Sequence, residues 1–301
     1  MTPRVSILIP AYHETFFREA FASARAQAYD AFEIVVCDDS AGSAIEAWVA
    51  AERDPRVRYV RNAERRGFEG NFTECLRQAR GELAKFLNDD DRLRPECVAH
   101  LAAAFDADPR LTLATSRREV IDEHGALRAA MPSTSPVSYV SCITSGVELG
   151  DLALINGLNL IGEPSTTMFR VRDVAAEAGG LFTWGGKPYH CLADLALWLR
   201  LLATGNAYYC AAALSEYRVH AGQEQRSGAM GMKCVTERFD LIEVARDVGY
   251  LRADSAYRTA LARVETMAAA WRARVPVSDA ERETLDALSA TIAAKLAARA
   301  A

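Results

Sequence analysis

Residues 83–95 read LAKFLNDDDRLRP. The apolar run Leu83–Leu87 has the length of a buried strand, and it leads straight into Asn88, Asp89, Asp90 and Asp91. Pro95 then suits the first turn of a helix. Adjacent carboxylates repel one another, so their concentration at the end of a buried strand needs a reason. Divalent Mg²⁺ and Mn²⁺ offer one, because they take oxygen ligands, commonly one or two carboxylates plus phosphate oxygens of a substrate. Taken alone, the run also reads as a solvated acidic turn with Asp91 capping the next helix.

Upstream, strand and helix alternate. VSILIP (Val5–Pro10) is an apolar run ending in Pro, and Phe16–Gln27 has a helical period with Phe17, Ala20, Phe21 and Ala24 on one face. FEIVVCDD (Phe32–Asp39) is a second buried strand, ending in two acids. Ser43 with Glu46 predicts a capping box. VRYV (Val57–Val60) is a third strand, and RRGFEGN (Arg65–Asn71) is a Gly-marked loop opening a helix that ends at Arg80-Gly81. This alternation predicts a parallel sheet with helices on both faces, whose ligands collect beyond the carboxyl ends of the strands. Pro10-Ala11-Tyr12, Asp38-Asp39 and the acids of 88–91 all fall at that edge. No G-x-G-x-x-G follows the first strand and no G-x-x-x-x-G-K-[ST] occurs, so the standard phosphate cradles are absent.

The 301 residues are 50% hydrophobic and 25% charged, which fits a soluble globular protein of one large domain or two small ones. A net charge of −5 gives no general attraction to nucleic acid or anionic lipid, so an anionic substrate needs local cations or a metal. The seven cysteines are scattered and contain no C-x-x-C, which predicts reduced thiols rather than a zinc site or a disulfide framework. No signal peptide precedes the first strand and no apolar run is long enough to cross a bilayer. The expected location is the cytoplasm, with peripheral contact at the inner membrane face left open.

VSILIPAYHE, FEIVVCDDS and RGFEGNFTECLRQARGELAKFLNDDDRLRPECV, in that order, resemble the nucleotide-sugar-binding half of family 2 glycosyltransferases. The resemblance implies the GT-A fold: an α/β, Rossmann-like, mixed but mostly parallel sheet flanked by helices, here with a helical C-terminal extension. It implies residues 1–110 as the nucleotide-sugar half, 111–230 as the acceptor and catalytic-base half of the same domain, and 231–301 as the extension. The implied activity is metal-dependent, inverting transfer from a nucleotide-diphosphate sugar to a saccharide, lipid-linked or protein acceptor in polysaccharide, glycolipid or glycoprotein assembly. In the family's D-x-D motif Asn88 takes the first acidic place and Asp90 the second. Asp90 is then the Mn²⁺ or Mg²⁺ ligand, with Asn88 and Asp89 at the nucleotide. Asn88 departs from the usual acid: an amide can bond a ribose hydroxyl or offer its carbonyl, but it brings no charge. Pro10, Ala11, Tyr12 and Glu14 correspond to the nucleoside cradle, where Tyr12 can stack on the base. Asp39 corresponds to the acid that reads the imino N–H of uracil or thymine, which favours UDP or dTDP. Arg66 lies in the loop that approaches base or diphosphate.

Leu111 to Ser141 reads as irregular, with VIDEHG (Val120–Gly125) as strand and turn. NLIGEPSTTMFR (Asn159–Arg170) resembles the acceptor-side segment and makes Glu163 a candidate contact for sugar hydroxyls. In GGLFTWGGKPYH (Gly179–His190), Gly pairs flank Phe182, Trp184 and Tyr189, which read as exposed aromatics of a mobile loop around a sugar, with Trp184 the candidate contact; the other reading places one or two of them in the core. CLADLALWLRLLATG (Cys191–Gly205) is an amphipathic helix. Asp194, near its start, stands where inverting family members carry the base; otherwise an acid there serves the helix dipole. Inversion at an anomeric carbon needs one carboxylate to deprotonate the attacking hydroxyl. ALSEYRVHAGQEQRS (Ala213–Ser227) resembles the family's Y-R-x-H segment, with His220 at the metal or diphosphate and Arg218 and Arg226 offsetting diphosphate charge.

Beyond Met232, Tyr257, Leu261, Val264, Ala268 and Trp271 recur at helical spacing, Ser278 and Glu281 predict a capping box, and Leu285, Leu288, Ile292 and Leu296 form a last stripe. These helices are expected to fold on the catalytic domain or to make a homodimer contact; a membrane-surface helix is the other reading, with few basic residues behind it. Two other functions compete with transfer. A nucleotidyltransferase needs a Gly-rich basic segment that IPAYHETFFRE lacks, and a non-catalytic nucleotide-sugar or glycan-binding homologue is kept open by Asn88.

Overall fold

The computed structural model describes residues 2–174, 179–223, 228–274 and 278–297. Strands β1 (Val5–Ala11), β2 (Phe32–Asp38), β3 (Val57–Arg61) and β4 (Leu83–Phe86) alternate with α1 (Glu14–Arg25), α2 (Ala44–Glu52) and α3 (Gly67–Gln78), as the hydrophobic runs predict. β1 lies between β2 and β4, and β2 pairs with β3, all in parallel. Every residue of β1, β2 and β4 is buried, which is why these strands read as continuous apolar runs. Along β1 the side chains alternate between two cores. Leu8 joins the one beneath α3, whereas Ile7 and Ile9 join the one beneath α1 and α2.

The chain continues through β5 (Arg92–Leu93), α4 (Cys97–Ala107), β6 (Leu111–Ile121), β7 (Cys142–Ser145), α5 (Gly146–Asn156) and β8 (Met168–Arg170). A hairpin of β9 (Thr183–Trp184) and β10 (Lys187–Pro188) precedes α6 (Ala193–Leu202) and β11 (Asn206–Arg218). Helices α7 (Gly228–Asp247), α8 (Asp254–Arg274) and α9 (Asp279–Ala297) follow. The large sheet has the order β3-β2-β1-β4-β8-β6-β11-β5, with β7 also on β11. β8 runs antiparallel to β4 and β6, while β6 and β11 are parallel, so the sheet is mixed but mostly parallel, as expected.

Several local expectations change. Ser43 occupies the N-cap of α2, but its hydroxyl makes no capping bond. The predicted box at the start of α9 does form, with Ser278 N–H donating to Glu281 Oε2 (2.8 Å) and Glu281 N–H to Ser278 Oγ (3.3 Å). Residues 111–121 are one long strand rather than an irregular stretch, and its polar Thr115, Ser116 and Arg118 are buried. Cys191 and Cys234 are joined by a disulfide across a Cα–Cα distance of 5.2 Å, contrary to the expectation of reduced thiols throughout. They meet because α7 packs beside the loop before α6, where Glu237 accepts the backbone N–H groups of His190 and Leu192. The α9 stripe Leu285, Leu288 and Ile292 is buried in the core, which leaves these residues unavailable to a membrane or a second copy. No helix among the described residues is long and apolar enough to cross a membrane.

Candidate active site

A cleft of about 230 Å³ opens beyond the carboxyl ends of β1, β2 and β4. Pro10, Tyr12 and Asp39 line one side, Asn88, Asp89 and Asp90 the floor, and Glu163, Asp194, Tyr217 and His220 the other side. The loop after β1 is fixed by Asp89, whose Oδ2 accepts the backbone N–H groups of Tyr12 and His13, each at 2.6 Å. Burial, and then the neighbouring Asp90, push the Asp89 carboxyl up to about 7, against the pull of those two bonds. Tyr12 faces the cleft, with the Arg65 guanidinium 4.4 Å from its ring centroid.

Asp39 anchors the Gly-marked loop. Its carboxylate accepts the N–H groups of Arg66 (2.8 Å) and Gly67 (2.8 Å) and the Asn62 amide (2.9 Å). Asn62 also donates to Asn71 Oδ1, and the Asn71 amide donates to the Ala11 and Cys37 carbonyls. A buried amide network therefore ties the ends of β1 and β2 to α3, satisfying polar groups that would otherwise be costly there.

The four residues after β4 divide their work. Asn88 N–H donates to Ser165 Oγ (2.9 Å) and its amide to Asp91 Oδ2 (3.2 Å). Asp91 is wholly buried and accepts Ser165 Oγ–H (2.6 Å) and Arg218 N–H (2.9 Å), so it is not a helix cap. Burial first, then Asp90, holds its carboxyl well above the usual range. Asp90 faces the cleft and its Oδ2 lies 3.1 Å from His220 Nε2. His220 Nδ1 accepts the Gly222 N–H (3.2 Å), so Nε2 carries the proton and donates to Asp90. Among the described residues no three His, Cys, Asp or Glu side chains form a ready-made metal cage. A single carboxylate with a histidine beside it does fit Mg²⁺ or Mn²⁺, which keep waters and take substrate phosphate oxygens.

Asp194 stands in the first turn of α6 and lines the cleft. Its Oδ2 accepts the Asn159 amide (2.8 Å) and its Oδ1 the Leu195 N–H (2.7 Å). Burial pushes its carboxyl up to about 6; nearby Glu163 adds to this, and Leu195 N–H, Arg118 and Asn159 oppose it. A carboxylate with a pKa near neutrality suits proton abstraction. Glu163 pairs with Arg118 Nε at 2.9 Å and accepts the Thr166 hydroxyl at 2.7 Å.

Pro10, Tyr12, Asp39, Asn88, Asp89, Asp90, Glu163, Asp194 and His220 thus meet in one cleft. Other expectations do not hold. Ala11 is buried in its strand, Glu14 packs against Gly42, and Arg66 points to Glu74 at 3.7 Å; none lines the cleft, and the neighbouring Arg65 does. Trp184 is 6% exposed and packs edge-on against Tyr250, with Phe182 and Tyr189 likewise in the core, so these are not exposed loop aromatics. Arg218 is fully buried, its guanidinium held by the Asp90 carbonyl (2.7 Å), the Asp122 carbonyl (3.1 Å) and Glu19 (2.7 Å), so it braces the acid turn instead of facing a diphosphate. Arg226 lies outside the described residues. Sequence reading missed Phe68, Asn71, His190, Tyr217 and Gln223 as lining residues. Phe68 and Asn71 lay in the quoted RGFEGN segment and Tyr217 and Gln223 in ALSEYRVHAGQEQRS, so the segments carried a signal although no role was given to these residues.

Residues 6–148 match the family Glycosyl transferase family 2. An uncharacterized protein of Mycobacterium tuberculosis is 31% identical over 232 residues, 74% of this chain and 69% of that protein. The O-antigen biosynthesis protein RfbC of Myxococcus xanthus is 33% identical over 142 residues, 44% of this chain, and the match spans only 11% of its length. Among solved structures, S. aureus TarS 1-349 in complex with UDP-GlcNAc aligns over 88% of this chain and 83% of its own, with a TM-score of 0.57 at 14% identity. The mannosyltransferase PcManGT from Pyrobaculum calidifontis, in complex with GDP-Man and Mn2+, aligns over 98% and 80%, with a TM-score of 0.55 at 18% identity. At these identities the structural likeness shows the fold.

Proposed function

The chain belongs to glycosyl transferase family 2 and is a glycosyltransferase of the GT-A fold, and on that premise we propose an inverting, cation-dependent transfer of a sugar from a nucleotide-diphosphate donor to an acceptor hydroxyl. The observation that carries this reading is the single cleft into which β4 delivers Asn88, Asp89 and Asp90 and α6 delivers Asp194. The donor wall offers Tyr12 for stacking on the base. Asp39 lines the cleft but spends its carboxylate on the loop, accepting the Asn62 amide, the Arg66 N–H through both oxygens and the Gly67 N–H, so the imino N–H of uracil or thymine would share an oxygen with one of these donors. UDP or dTDP is the favoured carrier, a reading supported by the UDP-GlcNAc that TarS binds.

Asp90, oriented by His220, would hold Mn²⁺ or Mg²⁺, with Asn88 and Asp89 beside it; PcManGT, of the same fold, is bound to Mn2+. Such an ion, when bound, offsets the charge gathering on the departing diphosphate. Asp194 takes the proton from the acceptor hydroxyl while that oxygen attacks the anomeric carbon opposite the leaving group. The bond to the diphosphate breaks as the new glycosidic bond forms, and the nucleoside diphosphate departs. Glu163 binds sugar hydroxyls next to the reacting one. The acceptor is a saccharide of a surface polysaccharide, a reading supported by the O-antigen role in the name of RfbC.

Incubation with a panel of UDP-, dTDP- and GDP-sugars plus Mn²⁺, followed by nucleoside diphosphate release, tests this. Turnover of a uridine or thymidine donor that stops with chelator and returns with added Mn²⁺ is expected. Release that persists in chelator overturns the metal role, and no release from any donor overturns the whole reading.

A further inference from the structure

The acceptor wall holds two carboxylates, and one buried cation serves both. Arg118, on β6, is 6% exposed. Its Nε lies 2.9 Å from Glu163 Oε2. Its Nη2 donates to the Asn159 carbonyl (3.0 Å) and to the Ser133 carbonyl (2.7 Å). The Asn159 side chain in turn donates to Asp194 Oδ2 (2.8 Å) and to the Gly162 carbonyl (3.1 Å), and accepts the Gly162 N–H (3.0 Å). Trp198 of α6 fastens the same turn through its indole N–H to Gly162 O (2.8 Å).

We propose that Arg118 is a positioning residue that sets both acids of the acceptor wall, gripping Glu163 directly and aiming Asp194 through Asn159. The inference rests on the reading of Asp194 as the base. A buried guanidinium is retained only where its charge and donors are used, and here Nη2 donates to two carbonyls while the charge pairs with Glu163, Nε lying close to that carboxylate without hydrogen-bond alignment. Its planar fork is what allows a carboxylate and backbone carbonyls to be held at once, which a lysine ammonium cannot reproduce.

The charge balance around Asp194 gives the proposal a readout beyond structure. Asp194 faces Glu163, Arg118 and the buried Arg238 of α7, together with the Asn159 amide and the Leu195 N–H. Glu163 opposes ionisation of Asp194 and Arg118 favours it. Removing Arg118 leaves Glu163 less compensated, so Asp194 holds its proton to higher pH and the active, ionised base is lost from the acid side upward.

The test is a ¹³C-carboxyl NMR titration of the full-length, aspartate-labelled protein, with the Asp194 signal assigned by its loss in Asp194→Asn. Arg118→Met should raise the Asp194 midpoint by roughly half a pH unit or more, and adding Glu163→Gln should bring it back. Arg118→Lys should keep the wild-type midpoint, because the charge remains, yet slow nucleoside diphosphate release about tenfold, because the fork is gone. An unchanged midpoint in Arg118→Met, in a protein with wild-type near-UV circular dichroism, overturns the proposal. Should that variant fail to fold, Arg118→Lys decides alone: wild-type turnover contradicts the proposal. Full turnover by Asp194→Asn would instead remove the base reading on which it stands, so the two failures are distinguishable.

Discussion

The donor floor at 88–91 and the acceptor wall at Glu163 and Asp194 are both acidic, and they are held in different ways. Asp89 and Asp91 are each clamped by two strong donors, backbone N–H groups or a hydroxyl, that the fold brings from distant segments. Asp194 accepts the N–H of its neighbour Leu195 and the Asn159 amide, and sits in the balance of Glu163 against Arg118. The floor is thus a platform clamped by tertiary hydrogen bonds, and the wall is a pair tuned by opposing charges. Changes on the floor should act on donor binding, and changes on the wall should act on turnover.

The largest effect separating the two regions belongs to Asp194→Asn. It should lower kcat by roughly 10²–10⁴-fold while leaving donor affinity within about threefold. Its stability moves the other way. The folded-state pKa of Asp194 is raised, so the proton is bound more tightly in the folded protein, and its stabilising effect is present at low pH and lost as pH rises through about 6. At pH 8 the asparagine variant should therefore melt at a higher temperature than wild type, which differential scanning calorimetry can check. Asp90→Asn should weaken donor binding in Mn²⁺ on the order of 10–100-fold, measured by calorimetric titration with UDP; unchanged UDP affinity would mean that the floor does not hold the cation. The smallest effect on activity is expected from Trp184→Phe. Because Trp184 packs on Tyr250 outside the cleft, it should lose roughly 1–3 kcal/mol of stability with KM values unchanged. A raised KM without a lower Tm would return Trp184 to the sugar site.

The donor half was legible because its signals are contiguous. Fully buried parallel strands read as apolar runs, and their polar ends fall at one sheet edge whatever the details of packing. Asp194 was singled out by the family resemblance of its segment, since an acid at a helix start taken alone reads equally as a partner of the helix dipole. Less could be read where tertiary contacts decide. β6 hides its strand character because Thr115, Ser116 and Arg118 are buried polar residues, and its pairing with β11 is far away in sequence. The aromatics near Gly185-Gly186 looked exposed because paired glycines suggest a loose loop. Both glycines instead take positive φ (59° and 73°) and close a two-residue hairpin turn that folds Trp184 inward. Nothing in Y-R-V-H indicated that the Arg218 guanidinium would be consumed by carbonyls from two other turns, and the spacing of Cys191 and Cys234 carried no pairing signal.

The central claim is that Asp194, held on the acceptor wall, is the base that drives transfer on a donor fixed by the opposite floor. Its most direct test is the pH dependence of kcat for the donor that the nucleotide-sugar panel identifies. Wild type should gain activity through one ionisation near about pH 6, and the residual turnover of Asp194→Asn should lack that limb. A flat wild-type profile, or the same limb in the asparagine variant, would contradict it.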